Sequence, residues 1–316
     1  MNQENHCGNH LQINSLLNDT YKLTGYMASS ELSIVYLGCH IESGEVVVIK
    51  EYYPQALAMR DMDNRTVIYK MQSSKAKFDK LRDAFRKEAL ILQQLRHKNI
   101  VGYINDFEQN GTNYLVTSYC KGQTLESSIL ADNPMAMSDR LKDTLIPLLE
   151  AIEYMHGHGI IHRDLKPGNV IMLEDGSPQL IDFGSALIPD KGSKYPIMTS
   201  VGFSPLELYS EKSAQGKISD IFSFAAIIYK VLTGHAPMDV SQRLFQDDIP
   251  SVRALNKRVG FVLSSIIMWG LAVKSAQRCP SLRLMKAALY VEYYRLKCLE
   301  LRIGKSNKKE KPNPRL

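Results

Sequence analysis

The apolar residues change their period partway along this chain of 316 residues, and that change narrows the folds open to it. Before about residue 120 the runs are short and rich in β-branched residues. Leu32 to Leu37 and Glu45 to Lys50 are bounded by Gly38 and by Ser43-Gly44, a hairpin-like pair, and Thr112 to Tyr119 is broken by Lys121-Gly122. All three read as strands. One helix interrupts them: Phe78, Leu81, Phe85, Ala89, Leu92 and Leu95 recur at three- and four-residue steps, one face of an amphipathic helix. Beyond residue 120 helices dominate. Met137 to His156 places Leu141, Leu145, Leu148, Leu149 and Ile152 on one side, with Ser138 as its expected N-cap. Ser219 to Leu232 and Phe261 to Val273 are apolar nearly all round, as fully buried helices are. No internal repeat is visible. The expectation is an α+β chain, with a small sheet-rich unit over 21–118 and a larger helical unit over 119–298. An N-terminal extension covers 1–20 and a basic, disordered tail covers 299–316. A cleft is expected where the two units join, near Ser118 to Gly122.

Composition removes several function classes. Apolar residues at 44% and charged residues at 23% exclude a disordered chain or a fibre. The longest apolar stretch, Val259 to Val273, is broken by Ser264, Ser265 and Gly270 and falls short of the ~18–20 residues a bilayer span needs. The polar start, Met1 to His10, has no apolar core of a secretory signal. Cys7, Cys39, Cys120, Cys279 and Cys298 are scattered and never form a C-x-x-C pair. That excludes a zinc site or a disulfide framework and fits a reducing cytoplasm. Of the formal charge of +6, the segment 297–316 carries +5, from seven basic and two acidic residues. It reads as a solubilising end; the competing reading is a contact for an acidic lipid, nucleic acid or partner surface. Specific nucleic-acid recognition is not implied.

The chemistry-bearing residues lie in His162-Arg163-Asp164-Leu165-Lys166-Pro167-Gly168-Asn169, followed thirteen residues after Asn169 by Asp182-Phe183-Gly184. Asp-Phe-Gly alone is weak and Asn169 alone is an ordinary turn residue; eight consecutive positions with a correctly spaced second motif are specific. Upstream, Val47-Val48-Ile49-Lys50 ends a strand in an apolar run, where an unpaired ammonium is costly. Lys50 therefore needs a partner, and Glu88 on the amphipathic helix is the candidate. These segments resemble the catalytic loop, metal-binding motif and strand lysine of protein kinases, and the chain is similar to the eukaryotic-type serine/threonine kinases that bacteria carry. The resemblance spans about Tyr21 to Tyr290 and implies a bilobal protein-kinase-like fold, with a β-rich N-lobe holding one main helix and a mainly helical C-lobe.

The resemblance implies roles residue by residue. Asp164 accepts or orients the proton of a protein hydroxyl, Lys166 reaches the γ-phosphate, and Lys50 grips the α- and β-phosphates of ATP while paired with Glu88. Asn169 and Asp182 supply oxygens to Mg²⁺, with Mn²⁺ as an alternative. The adenine lies between Val35, Val48 and Ile171, beside a hinge at Ser118, Tyr119 and Cys120 with Thr117 as gatekeeper. Glu207, near the end of Gly202-Phe203-Ser204-Pro205-Leu206-Glu207, pairs with Arg278, and Asp220 steadies the catalytic loop. Residues 54–77, with Glu51-Tyr52-Tyr53-Pro54 before Leu57-Ala58-Met59-Arg60-Asp61, look like an insertion common in bacterial members.

The chain departs from the family at the Gly-rich loop, whose glycine positions fall on Ala28, Ser30 and Ser33. Glycines let a backbone approach phosphates closely; serines offer N–H groups and hydroxyls instead. Val48, where alanine is usual, narrows the adenine roof. A second reading follows, a pseudokinase scaffold that binds nucleotide without turnover. A third, a small-molecule kinase of the aminoglycoside type, does not account for Leu165-Lys166-Pro167 together with Pro205-Leu206-Glu207. Arg163 before the catalytic aspartate implies pairing with a phosphate on the activation loop, with autophosphorylation at Thr199 or Ser200; either could instead be an unmodified hydroxyl on Asp164 and Lys166. The protein substrate is not legible.

Overall fold

The computed structural model describes residues 9–131, 136–190 and 193–309, with side chains as far as Leu301. The chain divides into two compact units. The first runs to Arg96 and resumes over Val101–Cys120; the second takes His97–Ile100 and everything from Lys121. Residues 97–100 join the second unit because Asn99 donates its side-chain amide to the Pro178 carbonyl at 2.7 Å and accepts from the Leu180 N–H at 2.9 Å.

The first unit is built on a six-stranded antiparallel sheet. Its strands are β1 (Leu16–Leu17), β2 (Tyr21–Ser29), β3 (Ser33–His40) and β4 (Val46–Tyr52). A short hairpin, β5 (Ala58–Arg60) and β6 (Val67–Tyr69), follows, then helix α1 (Lys75–Gln93), then β7 (Tyr103–Gln109) and β8 (Thr112–Ser118). The sheet order is β1-β2-β3-β4-β8-β7. The alternation of β4 explains its packing. Val47, Ile49 and Glu51 are buried, whereas Val48 and Lys50 on the other face are half-exposed, as a period of two requires. α1 docks by Phe78 and Phe85, whose rings lie 5.1 and 5.7 Å from that of Tyr52.

The opposite face carries a buried polar knot. Glu51, with no exposed surface, accepts from Arg60 at 2.7 and 2.6 Å, from the Tyr36 hydroxyl at 2.9 Å and from the Tyr114 hydroxyl at 2.9 Å. Arg60 also donates to the carbonyls of Asn9 and Arg65 and lies 4.9 Å from the Tyr53 ring. Burial and the neighbouring Glu51 charge push the Tyr36 and Tyr114 phenols well above their ordinary range, so both remain donors. Ala58 and Val67 of the segment 54–77, and two of the residues before β2, thus belong to this unit's core. Leu11 and Leu17 are buried, and the Leu11 N–H donates to the Tyr36 hydroxyl at 3.0 Å. Within the expected extension over 1–20, residues 9–20 pack onto this unit; residues 1–8 lie outside the described residues.

The second unit opens with β9 (Gly122–Thr124) and α2 (Leu125–Leu130). The single helix expected over 137–156 is three segments: α3 (Met137–Asp139), a π-helical stretch Arg140–Leu145, and α4 (Ile146–Gly157). Pro147 lies in the first turn of α4 and supplies no N–H to the preceding turn, which widens. Ser138 is not an N-cap. It is buried within α3, whose N-cap is Ala136, and donates to Glu300 at 2.7 Å. The strands β10 (Val170–Leu173) and β11 (Pro178–Leu180) complete a sheet of order β11-β10-β9. Then come α5 (Lys217–Thr233), α6 (Val240–Arg243), α7 (Val252–Leu255), α8 (Phe261–Gly270) and α9 (Leu282–Lys309). α5 is buried along most of its length, as expected. α8 is not: Phe261 is 69% and Trp269 43% exposed, because its apolar surplus faces outward rather than into a surrounding core. α9 continues to Lys309, through residues expected to be disordered. No proline interrupts it before Pro312, and Leu, Arg, Glu and Lys are good helix formers. Residues 310–316 lie outside the described residues. No described helix is long and apolar enough to cross a membrane.

Arg60→Ala leaves the Glu51 carboxylate buried without its cation, which costs about 3–5 kcal/mol. Urea unfolding should show that loss. A loss below about 1 kcal/mol would mean that the knot is not structural.

Candidate active site

The loop from Ile161 to Asn169 is fixed by α5. Asp220, in the first turn of α5, is fully buried and accepts at Oδ2 from the His162 N–H (2.9 Å) and the His156 ring (2.8 Å), and at Oδ1 from the Arg163 N–H (2.9 Å). Arg163 has φ 69°, a conformation costing about 1–3 kcal/mol that persists only where surroundings enforce it. The Asp220 carboxylate enforces it. Burial alone would raise that carboxyl, but the hydrogen bond and charge from His156, with the bonds from the loop, hold it below its ordinary value. His162 has no exposed surface; burial lowers its pKa against the raising effect of Asp220, Asp164 and Asp182. Its Nδ1 accepts from the Asp164 N–H at 3.3 Å.

Asp164 is the centre of the assembly. Its Oδ2 accepts from Lys166 Nζ at 2.8 Å and Asn169 Nδ2 at 3.0 Å, and its Oδ1 accepts the Ser200 hydroxyl at 2.8 Å. Lys166 also donates to that hydroxyl at 3.0 Å. Asn169 uses its amide nitrogen a second time on the Asp164 carbonyl (2.9 Å), which leaves its amide oxygen as the free-facing acceptor by elimination. The Ile181 N–H bonds the Asn169 carbonyl at 2.9 Å, which fixes Asp182 next to Asn169 in the fold. Asp182 has φ 60°. Among the described residues no group of three or more histidines, cysteines or acids could hold a metal alone. A donor set of one amide oxygen and one carboxylate fits a hard cation that takes most of its ligands from phosphates and water.

In the first unit Lys50 donates to both oxygens of Glu88, at 3.0 and 2.9 Å, with Glu88 only 4% exposed. The β3–β4–β8 register sets Val35 opposite Lys50, and Val48 opposite Thr117. Val35, Val48, Lys50 and Thr117 therefore share one half-exposed sheet face. Ser118 closes on Gly102, its hydroxyl accepting that N–H at 3.0 Å. Tyr119 is exposed, and burial pushes the Cys120 thiol up to about 11. Ile171 lies on β10 of the second unit, paired with Thr124 and Gln179.

At the glycine positions, Ser30 and Ser33 close the β2–β3 turn on themselves: the Ser30 hydroxyl accepts from the N–H groups of Leu32 (3.3 Å) and Ser33 (3.1 Å), and the two hydroxyls lie 3.0 Å apart. Gln55 pins the Ser30 carbonyl at 2.8 Å. Ala28 stays exposed on β2.

In the activation segment Ser200 makes the hydroxyl contact just described, while Thr199 is exposed. Arg163 is buried. It donates to the carbonyls of Pro196 (2.7 Å) and Ser185 (3.3 Å) and lies 5.5 Å from the Tyr195 ring. Glu207 and Arg278 form the expected buried pair at 2.7 and 3.2 Å, completed by the Ser219 hydroxyl and the carbonyls of Ile218, Ala272 and Val273. Sequence reasoning missed Asp239. It accepts from the Gly202 N–H (3.1 Å) and the Tyr209 hydroxyl (2.7 Å) and thereby anchors the segment's end. Its N-cap position before α6 is a local signal; its contact with Gly202 is not. Gly202 has φ 78°, and a Cβ there would lie 2.6 Å from the Pro237 carbonyl oxygen.

The protein kinase domain family matches residues 27–259. The chain is 32% identical over 218 residues to the Lactococcus lactis "Probable serine/threonine-protein kinase PknB", a match covering 66% of this chain and 34% of that protein. It is 32% identical over 175 residues to mouse "Serine/threonine-protein kinase Nek1", covering 54% of this chain and 14% of that one. The match thus spans about a third or less of these relatives' length. Among solved structures, "PpkA-294 apo form" matches with a TM-score of 0.76 and 26% identity, over 89% of this chain and all of that one.

A carboxyl with a lowered folded-state pKa contributes stability above its unfolded value, about 3.9, and loses it as pH falls through the folded value. Asp220→Asn should therefore be less stable by about 3 kcal/mol at pH 7, with the gap from wild type closing as pH falls below about 4. Urea unfolding across that range checks this; a gap independent of pH would contradict it.

Proposed function

The chain belongs to the protein kinase domain family, and from that premise we propose that it transfers the γ-phosphoryl group of ATP to serine or threonine hydroxyls of a protein. The observation that carries this reading is the Ser200 hydroxyl 2.8 Å from Asp164 Oδ1: a hydroxyl at that distance, within the 2.6–3.2 Å reach general-base catalysis needs, supports Asp164 as the acceptor of an O–H proton. In the reaction the substrate oxygen bonds the γ-phosphorus, the bond to the β-phosphate oxygen breaks, ADP leaves with that electron pair, and the hydroxyl proton passes to Asp164. Lys166 neutralises charge on the transferring group, and its contact with Asp164 sets both side chains. Lys50, aligned by Glu88, binds the α- and β-phosphates. Asn169 and Asp182 would hold the divalent cation, for which Mg²⁺ is our reading and which supplies charge neutralisation at phosphate oxygens when bound. Val35, Val48 and Thr117 of the first unit would receive the adenine, with Ser118, Tyr119 and Cys120 at its edge. The scattered cysteines, four of them free thiols among the described residues, support a reducing cytoplasm as the compartment.

The self-closed Ser30–Ser33 turn favours a second reading, a nucleotide-binding scaffold without turnover, because the N–H groups of Leu32 and Ser33 already have an acceptor. Transfer from radiolabelled ATP to a generic protein substrate separates the two. Lys50→Ala and Asp182→Ala should each lower transfer by at least about 100-fold. Thermal stabilisation of the wild type by nucleotide with no transfer at all would instead establish the scaffold.

For autophosphorylation we propose Thr199. A phosphate on Ser200 would set a dianion against Asp164, whereas Thr199 is exposed. Phosphosite mapping after incubation with Mg-ATP should find Thr199 modified and Ser200 unmodified; no phosphate between residues 185 and 204 would end the idea.

A further inference from the structure

The outward side of α9 carries an apolar seam that neither the core nor the phosphoryl chemistry uses. Leu284, Ala287, Val291, Tyr294, Cys298 and Leu301 are all exposed, and they succeed one another at steps of three, four, three, four and three residues. Tyr294 and Leu301 are 62% and 65% exposed. The same helix meets the second unit with its other side, through the buried Met285, Leu289, Glu292 and Leu296. Alternation of three and four is the a/d pattern of a coiled-coil seam. Two and a half heptads at 1.5 Å per residue make it about 27 Å long. A helix that lies on a membrane needs a broader apolar face, about 100° or more; a two-residue-wide seam fits one partner helix instead.

Charge selects the partner. The positions flanking the seam are Arg283, Tyr290 and Lys297 on one side and Ala288 and Arg295 on the other, with no acid among them. Of the nearby acids, Glu292 is buried and paired with Arg295, while the exposed Glu300, together with Asp139, pairs with Lys297, which leaves Arg283 as the flanking cation with no acid beside it among the described residues. The sequence after Leu301 continues with Lys305, Lys308 and Lys309. A second copy of this chain, parallel or antiparallel, would set Arg and Lys against Arg and Lys, which disfavours self-pairing. We propose that the outward seam of α9 is a docking surface for an amphipathic helix of another protein, one whose own apolar seam is flanked by glutamate or aspartate. The positive charge concentrated over 297–316 then serves to attract that acidic helix.

The probe is a synthetic three-heptad peptide with leucine at a and d and glutamate at e and g, beside a counterpart with lysine at e and g. Fluorescence anisotropy with the full chain should show binding of the glutamate peptide only. Its affinity should fall at least about tenfold in the double variant Val291→Gln/Tyr294→Gln, and fall again as salt rises from about 50 to about 500 mM. Thermal unfolding of the variant should match the wild type, since both side chains are exposed. The proposal is overturned if the glutamate peptide fails to bind, if the lysine peptide binds equally, or if the variant binds as the wild type does. It is also overturned if the wild type sediments as a dimer that the variant dissolves, or binds phosphatidylserine vesicles through Val291 and Tyr294.

Discussion

The carboxylate of Asp220 accepts two successive backbone N–H groups and a histidine ring where water does not reach, and the functional loop of the second unit is set from there. An isolated buried carboxylate would be costly by several kcal/mol. Three charge-assisted bonds, each worth about 1.5–3 kcal/mol, offset that cost and hold Arg163 at a positive φ. The residue after Arg163 is Asp164. The strained backbone and the acid aimed at Lys166, Asn169 and Ser200 are two ends of one arrangement, anchored on a helix rather than on another loop.

The first unit uses a comparable device for another end. Glu51 follows Lys50 directly, so the strand's alternation sends the two side chains to opposite faces. On one face Lys50 meets Glu88 and stays part-exposed; on the other Glu51 is sealed beneath Arg60, Tyr36 and Tyr114. The hairpin β5–β6 reaches that face through Arg60 on Glu51, and the residues before β2 reach it through Leu11 on the Tyr36 hydroxyl. The insertion is therefore structural in this unit: its arginine neutralises the acid next to Lys50.

How far this was legible follows from the range of each interaction. The proposed catalytic residues could be named from the sequence because phosphoryl chemistry needs fixed residue types at fixed local spacing, and Asp164, Lys166, Asn169 and Asp182 lie within one short stretch. The Lys50–Glu88 and Glu207–Arg278 pairs were readable because a buried charge demands a partner and each candidate stood in a resembling motif. Boundaries read less well where a local signal met a tertiary one. Ser138 looked like an N-cap but is buried against Glu300 of α9. Pro147 turned one expected helix into three segments. Asp239 carried no sign of its contact with Gly202, because the pairing spans 37 residues of sequence.

The proposed activity rests on the Asp164 carboxylate as the acceptor of the substrate proton. Steady-state kinetics of Asp164→Asn test it directly, since asparagine keeps the size of the side chain and removes its basicity. The account predicts a kcat lower by about 100-fold to 10,000-fold with little change in the KM for ATP. An Asp164→Asn enzyme that turns over at the wild-type rate would contradict it.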